Sequence, residues 1–255
     1  MKKRLQRNLF GALLLALFLF ASCHSGYQVT KTVGVMVPID SAWDATPDEE
    51  AVALLTPYKA KIDSVMYRVV GTADVDMDRG LPESALSNLV SEVLRQSASQ
   101  VLGKPADMGL VNVGGLRNVL TKGPITSENI YELLPFENSL CVLTLSGAHL
   151  KQLFENIAAQ HGQGVSGIRL VITKDGKLLD STIGGEPLDE HKLYTVATID
   201  YVADGNDGMP ALLQAEKRVC PDGATLRGIF MSYVEAQTAA GKSVTSHLDG
   251  RITFK

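Results

Sequence analysis

The chain has 255 residues, with 24 lysines and arginines against 28 aspartates and glutamates, 45% apolar residues and three cysteines. That length allows one large domain or two small ones, and the apolar share is ordinary for a protein with a packed core. A net charge of −4, with no basic block beyond the first seven residues, argues against nucleic-acid binding through phosphates.

Lys2, Lys3, Arg4 and Arg7 precede an almost pure apolar run, Leu9 to Ala21, too short to be read first as a membrane span. The run stops at "FASC", Phe20 to Cys23, and small residues just before a cysteine look like a bacterial lipoprotein signal. Residues 1–22 are expected to be a cleaved signal, with lipid on the Cys23 thiol holding the chain at a membrane outside the cytoplasm. An ordinary signal peptide or an uncleaved anchor is the alternative. Removing those four basic side chains from the 24 leaves 20 against 28 acidic ones, a net charge of −8. Of the remaining cysteines, Cys141 lies in the alternating run "SLCVLTL", where a buried free thiol is expected. Export permits a bridge to Cys220, but two cysteines carry no spacing signal for one.

Residues 23–45 read as a polar spacer, and 46–255 as one domain. "TPDEEAVALLTPYKAKIDSVM" has a helical pattern, with Thr46 or Asp48 as cap and Pro57 expected to break or kink it. "YRVVGTADVDM" reads as a strand. "PESALSNLVSEVLRQSAS" reads as an amphipathic helix with Leu86, Leu89, Val90, Val93 and Leu94 on one face. "ADMGLVNV" is a short buried strand. "TSENIYELL" is a short helix whose Thr126 and Asn129 sit at capping-box spacing. "LCVLTLSG" is a strand and "GAHLKQLFENIAAQ" an amphipathic helix. The strands "GIRLVIT", "LLDSTI" and "LYTVATIDY" follow, then the helix "TLRGIFMSYVEAQTAAG" and a last strand, "GRITFK". Helices and strands interleave without a regular βαβ period, which favours an α+β domain with a mixed sheet and packed helices.

The stretch "LVNVGGLRN" places Asn112, Gly114, Gly115 and Arg117 at the end of a predicted strand. By itself this reads as a Gly-Gly turn beside a solvated arginine. Three further stretches change that reading. Pro135-Phe136 closes a helix, Gly167 enters a strand, and Tyr201 precedes the turn Asp204-Gly205-Asn206-Asp207-Gly208. Two fixed aromatics can stack on a planar ring. A core position for Phe136 and a strand-end wedge for Tyr201 are the alternatives.

From about Pro82 to Phe254 the order "ESALSNL", "NVGGLR", "GPIT", "LPFEN", "GAHL" and "YVADGNDG" resembles the C-terminal domain of the 5′-nucleotidase family, periplasmic and cell-surface nucleotide hydrolases. The resemblance implies that Phe136 and Tyr201 sandwich a base and that Asn112 hydrogen-bonds it. It implies Arg117 on the ribose-phosphate side and Asp207 on the ribose hydroxyls, with Arg79 and Gly167 completing the substrate-binding set. Tyr201 stands where many members have phenylalanine. Asn206 replaces a glycine, so its turn has to reach its φ another way.

The family's chemistry belongs to a dinuclear metallophosphoesterase domain, which clusters aspartate, histidine and asparagine ligands. None of His24, His149, His161, His191 and His247 stands in a D-x-H or G-N-H-[DE] stretch. A G-x-S-x-G elbow and a Walker A loop are missing too. The resemblance therefore implies a substrate-recognition half with no catalytic residue, metal or cofactor of its own. A separate polypeptide would carry the divalent metals, and the two would act together on a nucleoside 5′-monophosphate. A nucleoside- or nucleotide-binding lipoprotein without a catalytic partner, or an adhesion module of the same fold, are the other readings.

Overall fold

The computed structural model describes residues 29–255, so the predicted signal and Cys23 lie outside the described residues. The chain divides into two units after Val52. In the first, a 3-10 turn over Ser41–Ala45 is capped by Asp40, whose carboxylate accepts from Ala42 N at 2.9 Å. Helix α1, Glu49–Met66, crosses the division. Asp48 caps it by accepting from Glu50 N and Ala51 N at 3.0 and 3.1 Å. The break expected at Pro57 does not occur, for α1 runs through it. No residue of α1 is buried, so the proline ring displaces no packed neighbour and removes only one backbone donor.

In the second unit, β1 (Val69–Ala73) leads to α2 (Ala85–Ser97) and a short α3 (Ser99–Leu102). Ser84 and Ser87 cap α2 reciprocally, and its buried face carries Leu86, Leu89, Val90, Val93 and Leu94. Then come β2 (Met108–Val111), β3 (Gly123–Thr126) and α4 (Ser127–Leu133). Thr126 and Asn129 form the expected capping box of α4. The order continues with β4 (Leu140–Ser146), α5 (Gly147–Ala159), β5 (Gly164–Ser166), β6 (Ile168–Ile172), β7 (Leu178–Ile183), β8 (Glu186–Pro187) and β9 (Leu193–Ile199). A one-turn α6 (Asp200–Ala203), β10 (Lys217–Val219), α7 (Leu226–Ala239) and β11 (Ile252–Phe254) complete it.

The architecture is α+β. Its centre is a five-stranded mixed sheet in the order β10-β4-β9-β2-β5, where β2 and β9 run parallel and the other pairs antiparallel. A four-stranded sheet, β11-β6-β7-β8, and the pair β1-β3 stand beside it, where one mixed sheet was expected. Every residue of β2 is buried, as expected for a strand covered on both faces. Helix α2 packs on β2, β5 and β9, and α5 on β4 and β9. The largest buried side chains are Phe154 of α5 and Phe230 of α7.

Cys141 is not a free thiol: it is bonded to Cys220. The reason is β10, a three-residue strand without a sequence signal. It pairs antiparallel with β4, Val219 opposite Val142, and this sets the next residue, Cys220, opposite Cys141 with a Cα–Cα distance of 4.2 Å.

The run "ESALSNL" is a structural clasp. Glu83 accepts from Asn88 Nδ2 at 2.7 Å, Asp249 N at 2.9 Å and Arg251 N at 3.0 Å, tying the approach to β11 onto the start of α2.

Candidate functional site

Because β2 and β9 are parallel neighbours, their C-terminal ends lie on one edge of the central sheet. Strand β4 runs antiparallel to β9, so its beginning lies on the same edge. Three distant segments therefore meet there: Asn112 to Arg117 after β2, Phe136 to Asn138 before β4, and Tyr201 to Asp207 after β9. They line a cavity of about 390 Å³ formed by Asn112, Gly114, Gly115, Arg117, Phe136, Asn138, Tyr201 and Asp207.

Phe136 and Tyr201 are 43% and 42% exposed, so neither belongs to the core. Both line the cavity. Tyr201 lies in α6 rather than at the end of β9. Asn206 keeps a negative φ, and the left-handed positions fall at Gly205, Asp207 and Gly208 instead. Asn206 contributes by donating from Nδ2 to Tyr201 O at 2.8 Å.

Asp207 is the polar centre. Asn112 Nδ2 donates to its Oδ2 at 2.6 Å, and the Tyr201 hydroxyl donates to its Oδ1 at 3.0 Å. The hydrogen bond to Asp207, followed by the carboxylate's charge, raises the Tyr201 phenol above its ordinary value. Asn112 is only 6% exposed, and its Oδ1 has no partner. A Cβ on Gly115 would lie 2.8 Å from that oxygen, which is why glycine is needed where the turn closes over Asn112. Asn112 was expected to reach a base. One N–H of its amide is given to Asp207, and the second N–H and the buried Oδ1 stay uncommitted.

The Arg117 guanidinium sits 5.2 Å from the Phe136 ring centroid, a cation–π contact at the cavity mouth. Arg79 does not line the cavity. Its Nη1 donates to Leu116 O at 2.6 Å and braces the turn next to Arg117. Gly167 is elsewhere: it has φ +77, and a Cβ there would meet Asp107 O at 2.2 Å. Its glycine identity answers a backbone crossing between β5 and β6, with no role in this cavity.

Two residues escaped the sequence reading. Asn138 lines the cavity, and the motif "LPFEN" already contained it. Arg227 of α7 donates from Nη1 to Leu134 O and Pro135 O, both at 3.1 Å, and pairs with Glu137. Its guanidinium also stacks on Tyr131 at 4.3 Å, so it fixes the corner that presents Phe136. Nothing local in "TLRGIF" signals that contact across the fold.

Among the described residues no group of three or more histidine, cysteine, aspartate or glutamate side chains converges as a metal site. His149, for example, serves the start of α5, where Nδ1 lies 3.1 Å from Ser146 Oγ. Among those residues, too, no helix is long and apolar enough to cross a membrane.

The comparisons with known proteins concern the sequence and the fold that carry this cavity. The chain belongs to the 5′-nucleotidase family, matching the model of its C-terminal domain over residues 69–214. Silent protein UshA(0) of Salmonella typhimurium is 28% identical over 64% of this chain and 30% of its own length. Cell wall protein Lmo0130 of Listeria monocytogenes is 27% identical over 89% of this chain and 33% of its own. The crystal structure of a 5′-nucleotidase precursor from Thermus thermophilus superposes with a TM-score of 0.68 at 29% identity, covering 83% of this chain and 44% of that one. The chain thus spans about a third of the length of these two curated relatives.

Proposed function

We propose that this chain is the substrate-recognition part of an extracytoplasmic 5′-nucleotidase. Phe136 and Tyr201 grip the base of a nucleoside 5′-monophosphate, and Asp207 faces the ribose. Arg117, freed from Phe136, turns to the ribose-phosphate side. The observation that carries this reading is the convergence of these side chains, from three distant segments, on one cavity. Hydrolysis needs a dinuclear metal centre to bind the phosphate and supply hydroxide at neutral pH. In this reading a separate phosphoesterase polypeptide provides that centre, and lipid on Cys23 keeps the recognition part at the membrane. The relative named as a cell wall protein supports a place outside the cytoplasm.

The test is calorimetry of the full chain with adenosine and other nucleosides, alongside a phosphatase assay. Stacking contributes on the order of 1–3 kcal/mol per base, so Phe136→Ala should weaken binding by about tenfold. The chain alone should release no phosphate from AMP, with or without added divalent metal. A nucleoside affinity untouched by Phe136→Ala and Tyr201→Ala, in folded variants, overturns the slot. Chelator-sensitive turnover by the chain alone overturns the division of labour.

A further inference from the structure

The wall formed by Tyr201 carries a polar group that a phenylalanine wall lacks. Its hydroxyl and the Asn112 amide approach opposite oxygens of Asp207, at 3.0 and 2.6 Å. Asn112 is buried and seated against Gly115, so that donor cannot swing away. Asp207 itself stands at φ +51 between two left-handed glycines, Gly205 and Gly208. A carboxylate offers about four acceptor positions on its two oxygens. The protein donors take one on each oxygen. Acceptor capacity is left on each oxygen of this exposed, cavity-lining side chain.

We propose that Tyr201 is a positioning residue for Asp207: its hydroxyl locks the carboxylate so that both oxygens meet a vicinal diol together, making the site select sugars that carry one. The inference rests on the nucleoside reading above. Without the hydroxyl, Asp207 is held at Oδ2 alone. Its exposed carboxylate is then free to rotate, and a diol has to order it on binding. A sugar without the two hydroxyls makes no such demand and is indifferent to the change. Phenylalanine keeps the ring, so stacking is retained. The raised pKa of the phenol keeps the proton on Tyr201 through the neutral range, preserving its donor role.

The experiment is calorimetry of the full chain with adenosine and with 2′,3′-dideoxyadenosine, on wild type, Tyr201→Phe and Asp207→Asn. Tyr201 is 42% exposed, so its replacement leaves the core intact, and circular dichroism checks the fold. Wild type should prefer adenosine. Tyr201→Phe should lower adenosine affinity by about three- to tenfold, and Asp207→Asn by more, while dideoxyadenosine stays within about twofold. Equal losses for both ligands would reduce Tyr201 to a wall, and no loss for either would make its hydroxyl idle; each result overturns the inference but leaves the nucleoside reading standing. A wild type that binds both ligands equally overturns the diol selectivity. A wild type that binds neither overturns the nucleoside reading, and this inference falls with it.

Discussion

Breaking the Cys141–Cys220 bond removes a constraint that closes 79 residues of chain. For a loop of that length the chain-entropy estimate is about 4.5 kcal/mol at 25 °C, and measured bridges typically contribute about 2–4 kcal/mol. The lower range is the better expectation, because the ladder of β10 on β4 still holds the edge strand once the bond is open. In a protein of this size each kcal/mol moves Tm by about 2–4 °C, which gives a fall of about 4–16 °C. Urea unfolding followed by far-UV circular dichroism should be run on oxidised protein, on reduced protein and on Cys141→Ala/Cys220→Ala. Reduction deletes no atoms from the core, whereas the double variant removes the buried Cys141 sulfur, so their agreement within about 1 kcal/mol isolates the cross-link. Arg218 on β10 pairs with Asp204 at 2.5 Å, in the turn between Tyr201 and Asp207, so nucleoside affinity should fall on reduction too. Equal unfolding midpoints for oxidised and reduced protein, with Cys141 and Cys220 both titrated as free thiols in the latter, would refute the reasoning.

Gly115→Ala should push the Asn112 amide off Asp207, because the new methyl would lie 2.8 Å from Asn112 Oδ1. About a tenfold loss of nucleoside affinity is expected by calorimetry, and unchanged affinity would show that the Asn112–Asp207 bond is dispensable. Asp175 should titrate at about 2, held there chiefly by its hydrogen bond from Lys177. A depressed carboxylate stabilises the fold above its ordinary value of 3.8 and loses that contribution as pH falls toward 2, so Lys177→Ala should return the carboxyl NMR titration toward 3.8. Cys23→Ser should release the chain from the membrane fraction, since stable anchoring depends on the lipid; identical processing and fractionation would remove the lipoprotein reading.

The long helices were legible because their signals are local, whereas the one-turn α3 and α6 were not read. Apolar spacing picked out the buried face of α2, and Thr126 with Asn129 marked the capping box of α4, whereas the box of Ser84 and Ser87 at α2 went unread. The strands β3, β5, β8 and β10 are two to four residues long, too short for alternation to register, and they exist because longer neighbours offer them hydrogen bonds. Missing β10 meant missing the disulfide. Within the candidate site, Phe136, Tyr201, Arg117 and Asp207 were legible from ordered motifs at strand and helix ends, although spacing alone did not distinguish a turn from a ligand corner. Asn112 was placed in the right cavity, but its bond to Asp207 could not be read, since only the folded chain brings Asp207 within 2.6 Å of it. Gly167 marked a close approach, but its sequence could not say to what. Arg227 was invisible, since its partners Leu134 and Pro135 lie some ninety residues upstream.

The cavity floor rests on a parallel pairing between residues 108–109 and 196–197, closed only when segments nearly ninety positions apart have met. Such long-range contacts form late and slowly in a folding chain. A nucleoside that needs all three segments at once has nothing to hold in a half-assembled sheet. On the proposed reading it would bind the native chain and not its precursors, and by mass action draw the folding equilibrium toward completion. Ligand added during refolding should therefore raise the yield of native protein without hastening the first collapse, which makes the slot a gauge of finished assembly.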